Sequence, residues 1–190
     1  MDKLKILLIT GAKRNNSQSN KLAHIAEKYF DKNKVELTIF DQNQTPLPLF
    51  DQSEENLKNE NVQRILKLAR EADGFILNSP EYHGSMSGAI KNALDWLDYL
   101  EDIDYFHGKV VGIMGGGGVL GNAGATIQLM MAIRAMHGWL MPDVVMNLQR
   151  IKEGFQDDNL SNEFSQKRLK SFADKLTNYT QMFKENRHYF

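Results

Sequence analysis

Residues 4–20 read LKILLITGAKRNNSQSN, and the change of character at Gly11 decides the fold. Leu4 to Thr10 is an almost continuous apolar run, as a parallel strand covered on both faces requires. The next segment opens with glycine, is polar, and leads at once into a helical pattern in which Leu22, Ile25 and Tyr29 share a stripe. A buried strand, a glycine turn and an amphipathic helix in immediate succession form the first half of a βαβ unit.

The same alternation continues outward. Gly74 to Ser79 (GFILNS) and Val110 to Met114 (VVGIM) are further central strands, whereas Val35, Leu37 and Ile39 alternate with Glu36 and Thr38 as at a sheet edge. Trp139 to Leu148, interrupted by Pro142, reads as a second peripheral strand. Helical stripes lie between them: Val62, Ile65, Ala69 and Ala72, then Ile90, Leu94 and Leu97. A long closing helix is expected from Ser161 to Phe190, with Phe164, Leu169, Phe172, Leu176, Tyr179 and Phe183 turned inward. Five strands alternating with five helices, joined by right-handed crossovers, predict an α/β three-layer fold with a doubly wound parallel five-stranded sheet of order 2-1-3-4-5. At 190 residues the chain fits one domain, 1–190.

Composition removes several classes of function. With 23 basic and 24 acidic residues spread along the chain, the net charge is −1 and no electrostatic footprint for nucleic acid appears. The absence of cysteine excludes disulfides, thiol nucleophiles, cysteine-held zinc and iron–sulfur clusters, so redox chemistry would need an organic cofactor. No metal site is expected; Asp157 and Asp158 near Glu153 read as a solvated turn. Residues 110–133 carry no charge and are long enough to cross a bilayer, but their seven glycines fit strand, loop and helix instead, so no membrane partner is expected. The N-terminal apolar run lacks a signal-peptide cleavage pattern, and a cytoplasmic location is expected.

In a sheet of this order, ligands sit beyond the carboxyl ends of the strands at the switch point between the first and third. Three loops converge there. The first, Gly11 to Asn20, suits an anion: free amides and the helix dipole attract phosphate, Arg14 adds a cation, and Ser17, Ser19 and Asn20 add short donors. The competing reading makes Ser19 or Asn20 a helix cap. The second, Ser79 to Gly88, offers Pro80, Glu81, Tyr82, His83, Gly84 and Ser85 as a wall for a flat heterocycle, against the plainer reading of a turn in which Ser87 caps the next helix. The third is Gly115, Gly116, Gly117 and Gly118. Gly116, Gly118 and Gly121 match G-x-G-x-x-G, but only 69 residues follow Gly121, too few for a Rossmann domain, so the glycines are read as backbone lining for a third side of the ligand.

At these residues the chain resembles the NAD(P)H-dependent FMN reductase family of flavodoxin-like fold, and especially its bacterial FMN-dependent azoreductase branch. The likeness rests on GAKRNNSQSNKLA (11–23), SPEYHGSMSGAIKNALDWL (79–97) and residues 109–124, in matching order across nearly the whole chain. The resemblance implies FMN as cofactor and NADPH or NADH as co-substrate, with Arg14, Ser17, Ser19 and Asn20 at the phosphate. Pro80 to Ser85 would then run along the isoalloxazine, and Gly115 to Gly118 would close the site, with Gly11 opening the first loop. Ala12 departs from the serine many relatives carry. Hydride would pass through flavin to a small-molecule electron acceptor: a quinone, an azo dye, another flavin or an oxidised metal ion. No residue is assigned as a catalytic acid or base. The resemblance also implies a homodimer or homotetramer. The alternative is a flavodoxin-type electron carrier without NAD(P)H turnover, which near-neutral charge and a glycine-lined third loop disfavour. A flavin-free regulatory domain of the same fold is a further alternative.

Overall fold

The computed structural model describes residues 2–117, 121–157 and 159–186, the side chains of 141–144 excepted. Gly118, Asp158 and the last four residues of the expected closing helix lie outside that description, as does the side chain of Met141. The strands are β1 (Leu4–Thr10), β2 (Val35–Phe40), β3 (Gly74–Tyr82), β4 (Ser85–Met86), β5 (Val110–Gly116), β6 (Trp139–Leu148), β7 (Phe155–Gln156) and β8 (Asn159–Leu160). The helices are α1 (Gln18–Ala26), α2 (Glu54–Leu57), α3 (Glu60–Glu71), α4 (Gly88–Trp96), α5 (Ala123–Ala135) and α6 (Glu163–Glu185).

The main sheet runs β2-β1-β3-β5-β6, with β4 hairpinned onto β3. All four junctions of the long strands are parallel, so counting long strands alone the order is the predicted 2-1-3-4-5. The two faces are read directly from β1. Ile6 and Leu8 point into a core with Leu22, Ile25, Leu169, Phe172 and Leu176, from α1 and α6. Leu7 and Ile9 point into the other core with Val62, Ile65, Ile90, Leu94, Leu129 and Ile133, from α3, α4 and α5. That alternation is why β1 is apolar at nearly every position.

The edges behave as the patterns imply. β2 exposes Glu36 and leaves Leu37, Thr38 and Ile39 half-buried. In β6, Leu140 pairs with Val111 and Val145 with Ile113, so two steps on β5 are matched by five on β6 and three extra residues bulge out around Pro142. Within residues 110–133, the uncharged stretch, the described residues include β5 and most of α5, and no described helix is long and apolar enough to cross a membrane.

Two features depart from expectation. Sequence spacing places Phe164 and Tyr179 on the inward stripe of α6, yet they are 71% and 40% exposed. At about 100° per residue Phe164 lies roughly 140° around the axis from Leu169, and the inward stripe is instead Ser165, Leu169, Phe172, Ala173, Leu176, Thr177, Thr180 and Phe183. The strand expected to end at Ser79, β3, runs on to Tyr82, because its end is paired with β4.

Candidate functional site

β1, β3 and β5 end together at the carboxyl edge of the sheet, and their exits border a cavity of about 500 Å³. Arg14, Ser17, Gln18 and Ser19 line it from the first loop and the start of α1; Pro80, Glu81 and Tyr82 from β3; and Gly116 and Gly117 from the end of β5. A cavity of this size is in the range that holds a small-molecule cofactor.

The first loop is braced by its own side chains. Ser17 is the cap of α1, its Oγ accepting from the Asn20 backbone N–H at 3.4 Å, where the competing sequence reading names Ser19 or Asn20. Ser19 donates its hydroxyl to Asn78 Oδ1 at 2.8 Å, and Asn78 Nδ2 donates back to the Ser19 carbonyl at 2.8 Å, clamping α1 to β3. Asn20 Nδ2 donates to the Ala12 carbonyl at 3.0 Å and to Asp41 Oδ1 at 2.8 Å, closing the loop onto the end of β2. The side-chain donors of Ser19 and Asn20 are therefore engaged within the fold. The groups left to meet an anion are the Gln18 and Ser19 backbone amides, which have no partner within the first helical turn, the Ser17 hydroxyl proton and the exposed Arg14 guanidinium. Gly11 is buried and does not line the cavity. A Cβ there would sit 2.7 Å from Ser87 Oγ, the cap of α4, whose hydroxyl donates to the Gly11 carbonyl.

On the second loop the structure separates residues that the sequence groups. Pro80, Glu81 and Tyr82 reach the cavity, but His83, Gly84 and Ser85 do not line it. Tyr82 pairs with Ser85, and between them His83 and Gly84 take φ of 52° and 75°, as a two-residue type I′ hairpin turn demands. The hairpin tip is seated on α5: Ser85 donates to Gln128 Oε1 at 2.6 Å, and a Cβ at Gly124 would come within 2.2 Å of the Gly84 carbonyl oxygen. The Glu81 carboxylate accepts from the Gly124 and Ala125 amides at 2.7 and 3.2 Å. It thus caps α5, whose own N-cap residue, Asn122, makes no capping bond.

The glycines of the third loop are required by close packing. A Cβ at Gly115 would lie 2.3 Å from both the Ser79 carbonyl oxygen and Asn122 Nδ2, and one at Gly116 would lie 2.3 Å from Ile151 Cδ1. Gly115 is inside β5 and off the cavity, while Gly116 and Gly117 line it.

Sequence reasoning does not anticipate the fourth wall. Arg150, Ile151, Lys152 and Glu153 come directly after β6 and complete the cavity, with Ile151–Glu153 forming a 3-10 turn. Ile151 donates its N–H to the Gly117 carbonyl at 3.1 Å, and Gly117 donates to the Leu148 carbonyl at 3.1 Å, so this turn is locked to the third loop. The available signal is positional: a strand that joins a parallel sheet also delivers its following residues to the carboxyl edge.

The donor set fits a phosphorylated flat heterocycle. Unpartnered amides, a hydroxyl and a guanidinium suit the phosphate, and Pro80, Ile151 and side-chain-free glycine backbone suit a ring plane. The same edge gathers buried polar atoms that lack partners. Of seven such side-chain atoms among the described residues, five belong to Asn20, Asn122, Thr126 and Asn147, around the first and third loops. No group of three or more metal-ligating side chains occurs among the described residues.

Comparison with known proteins agrees with this geometry. Curated FMN-dependent NADPH-azoreductases are similar to the chain throughout: that of Staphylococcus saprophyticus is 31% identical over 183 residues, covering 93% of this chain and 95% of its own length. The Staphylococcus aureus protein is 29% identical over 182 residues, again with 93% and 95% covered. Among solved structures, the NAD(P)H:(acceptor) oxidoreductase FerB from Paracoccus denitrificans superposes with a TM-score of 0.77 at 22% identity, covering 95% of this chain and 98% of its own. An archaeal flavodoxin shares the fold at a TM-score of 0.62 and 12% identity, covering 94% and 99%. The family model for NADPH-dependent FMN reductases matches residues 4–152, which include all three strand exits and the turn after β6 up to Lys152, and the chain belongs to that family.

Proposed function

We propose that the chain binds FMN in the cavity at the carboxyl edge and uses it to take hydride from NADPH or NADH and pass the reducing equivalents on, as hydride to a quinone, azo compound or free flavin, or as electrons with release of the proton to an oxidised metal ion. The observation that carries this reading is convergence: the start of α1, the Pro80 to Tyr82 strip and the Gly116 and Gly117 backbone border one cavity, in a chain of the FMN reductase family.

Bound FMN supplies the hydride-accepting and hydride-donating chemistry. The chain's own residues bind and position. Gln18 and Ser19 amides, the Ser17 hydroxyl and Arg14 would hold the phosphate; Pro80 to Tyr82, Gly116, Gly117 and Ile151 would flank the ring. Glu81 keeps the third loop and α5 in register with the second loop through its two amide contacts. We assign no side chain as a dedicated acid or base, since Glu81 is committed to α5 and His83 stands at the hairpin tip.

The 190 residues are read as one domain acting in the cytoplasm, and as a homodimer or homotetramer. Support for self-association comes from α5, which turns Ile127 and Met131 outward at 59% and 68% exposure, one helical turn apart.

The deciding experiment combines FMN titration of the purified protein with NADPH and NADH oxidation in the presence of a quinone or an azo dye. Binding with turnover is expected. Bound FMN without turnover would make the protein an electron carrier, and no affinity for FMN would remove the redox assignment.

A further inference from the structure

The cavity carries cationic groups beyond the one at its first loop. A phosphomonoester brings about −1.5 to −2 charges at neutral pH, and Arg14 together with the roughly +0.5 of a helix N-terminus nearly offsets it. Two further cations, Arg150 and Lys152, stand on the wall after β6 and line the same cavity. Two carboxylates, Glu81 and Glu153, line the cavity as well, so what exceeds the flavin's need is cationic hydrogen-bond donors rather than net charge. Glu81 is engaged by the Gly124 and Ala125 amides, and Glu153 forms an ion pair with Arg150 at 4.0 Å, too long for a direct hydrogen bond, so it leaves the guanidinium's N–H fork open to a phosphate. Arg150 is 64% exposed at its side chain, which puts it at the mouth. It holds a left-handed backbone at φ 44°, a conformation that favours glycine or asparagine, yet the position carries a long cation.

Any dinucleotide whose nicotinamide reaches a ring in this cavity must lead the rest of its length out through the mouth. NADPH and NADH differ there by a single group, the adenosine 2′-phosphate. A guanidinium is suited to it, since its planar fork pairs bidentately with phosphate and is weakly hydrated. Building on the function proposed above, we infer that Arg150, assisted by Lys152, receives the 2′-phosphate of NADPH and sets the preference for NADPH over NADH.

The test uses the FMN-loaded protein and the variants Arg150→Ala, Arg150→Lys and Lys152→Ala. Adenosine 2′,5′-bisphosphate and adenosine 5′-monophosphate serve as binding probes, alongside the KM and kcat for each nicotinamide. The wild-type protein should bind the bisphosphate about tenfold or more tightly than the monophosphate, and Arg150→Ala should abolish most of that difference. Its NADPH KM should rise by a similar factor while NADH parameters and FMN affinity stay within about twofold, with Arg150→Lys intermediate. Equal binding of the two probes by the wild type would overturn the inference whether or not the enzyme turns over. So would a loss of FMN affinity in Arg150→Ala, which would assign the residue to the flavin instead. A selective effect of Lys21→Ala would also overturn it, moving the 2′-phosphate to the neighbouring cavity of about 570 Å³ that Lys21 and His24 line beside α1. Failure of the proposed function reads out separately, as absent FMN binding or absent turnover.

Discussion

Replacing Glu81 by alanine should destabilise the protein and loosen the flavin site together, because one half-buried carboxylate serves both. Its Oε2 accepts from the Gly124 amide at 2.7 Å and the Ala125 amide at 3.2 Å, at the end of a helix that has no cap of its own from Asn122. Loss of a capping acceptor costs about 0.5–2 kcal/mol, and loss of a negative charge at a helix N-terminus removes roughly a further 0.3–1 kcal/mol. Partial exposure argues for the middle of that range, about 2 kcal/mol. For a chain of this length, about 2–4 °C of midpoint shift accompanies each kcal/mol, so unfolding followed by circular dichroism should move down by roughly 4–8 °C. Glu81→Gln keeps a carbonyl acceptor and loses only the charge, so it should recover at least half of the shift. FMN affinity should fall in the same order, alanine more than glutamine, since α5 and the hairpin would no longer be held to one another. An alanine variant that melts within about 1 °C of wild type, or a glutamine variant that falls as far as alanine, would refute the capping argument.

Arg14→Ala should weaken FMN binding by about 1.5–3 kcal/mol through loss of the charged contact to the phosphate, measured by flavin fluorescence titration, with little change in melting temperature because the side chain is exposed. Gly116→Ala should place a methyl 2.3 Å from Ile151 Cδ1 and push the turn after β6 away from the third loop, lowering stability by about 1–3 kcal/mol and reducing FMN affinity in the same titration. Acid should weaken two surface ties. The Asp102 carboxyl is held below its ordinary 3.8 chiefly by hydrogen bonds from Arg70, and that of Glu71 below its ordinary 4.5 chiefly by the hydrogen bond from Lys5. Because both folded values are depressed, their contribution is complete above the ordinary values and is lost as pH falls through the lowered ones. The midpoint of unfolding should therefore decline below about pH 4.5, and less steeply in a Lys5→Ala, Arg70→Ala double variant.

The architecture is legible in the sequence because its central strands are buried on both sides. Leu4 to Thr10, Gly74 to Ser79 and Val110 to Met114 need apolar residues at almost every position, and such runs flanked by glycine turns and helical stripes leave few topologies. Where burial is one-sided the signal thins. Phe164 and Tyr179 are large and apolar enough to count as core, yet only their angle about the α6 axis separates them from Leu169, and a near-helical spacing does not resolve that angle over many turns.

At the site, the legible features are those the chain states locally. Loop positions follow from strand order, so the sequence puts Arg14, Ser17, Pro80, Tyr82, Gly116 and Gly117 at the right edge, and all of them line one cavity. The unread features depend on contacts far apart in sequence. Glu81 meets Gly124 across 43 residues, and Ser19 meets Asn78 across 59. Neither contact leaves a periodicity, a cap motif or a charge run. The hairpin at His83 and Gly84 is hidden for a different reason: its first turn position carries histidine rather than the asparagine or aspartate that marks a type I′ turn. The backbone sustains a positive φ there because the tip is fixed on α5 through Ser85 and the close approach of Gly124. The donors that face the cavity at the first loop are consequently two backbone amides with the Ser17 hydroxyl and Arg14, while the Ser19 and Asn20 side chains that also advertise the loop are spent on holding those amides in place. Substituting Ser19 or Asn20 should therefore disturb FMN binding through loop geometry, in parallel with lost stability, whereas Arg14 should affect affinity alone.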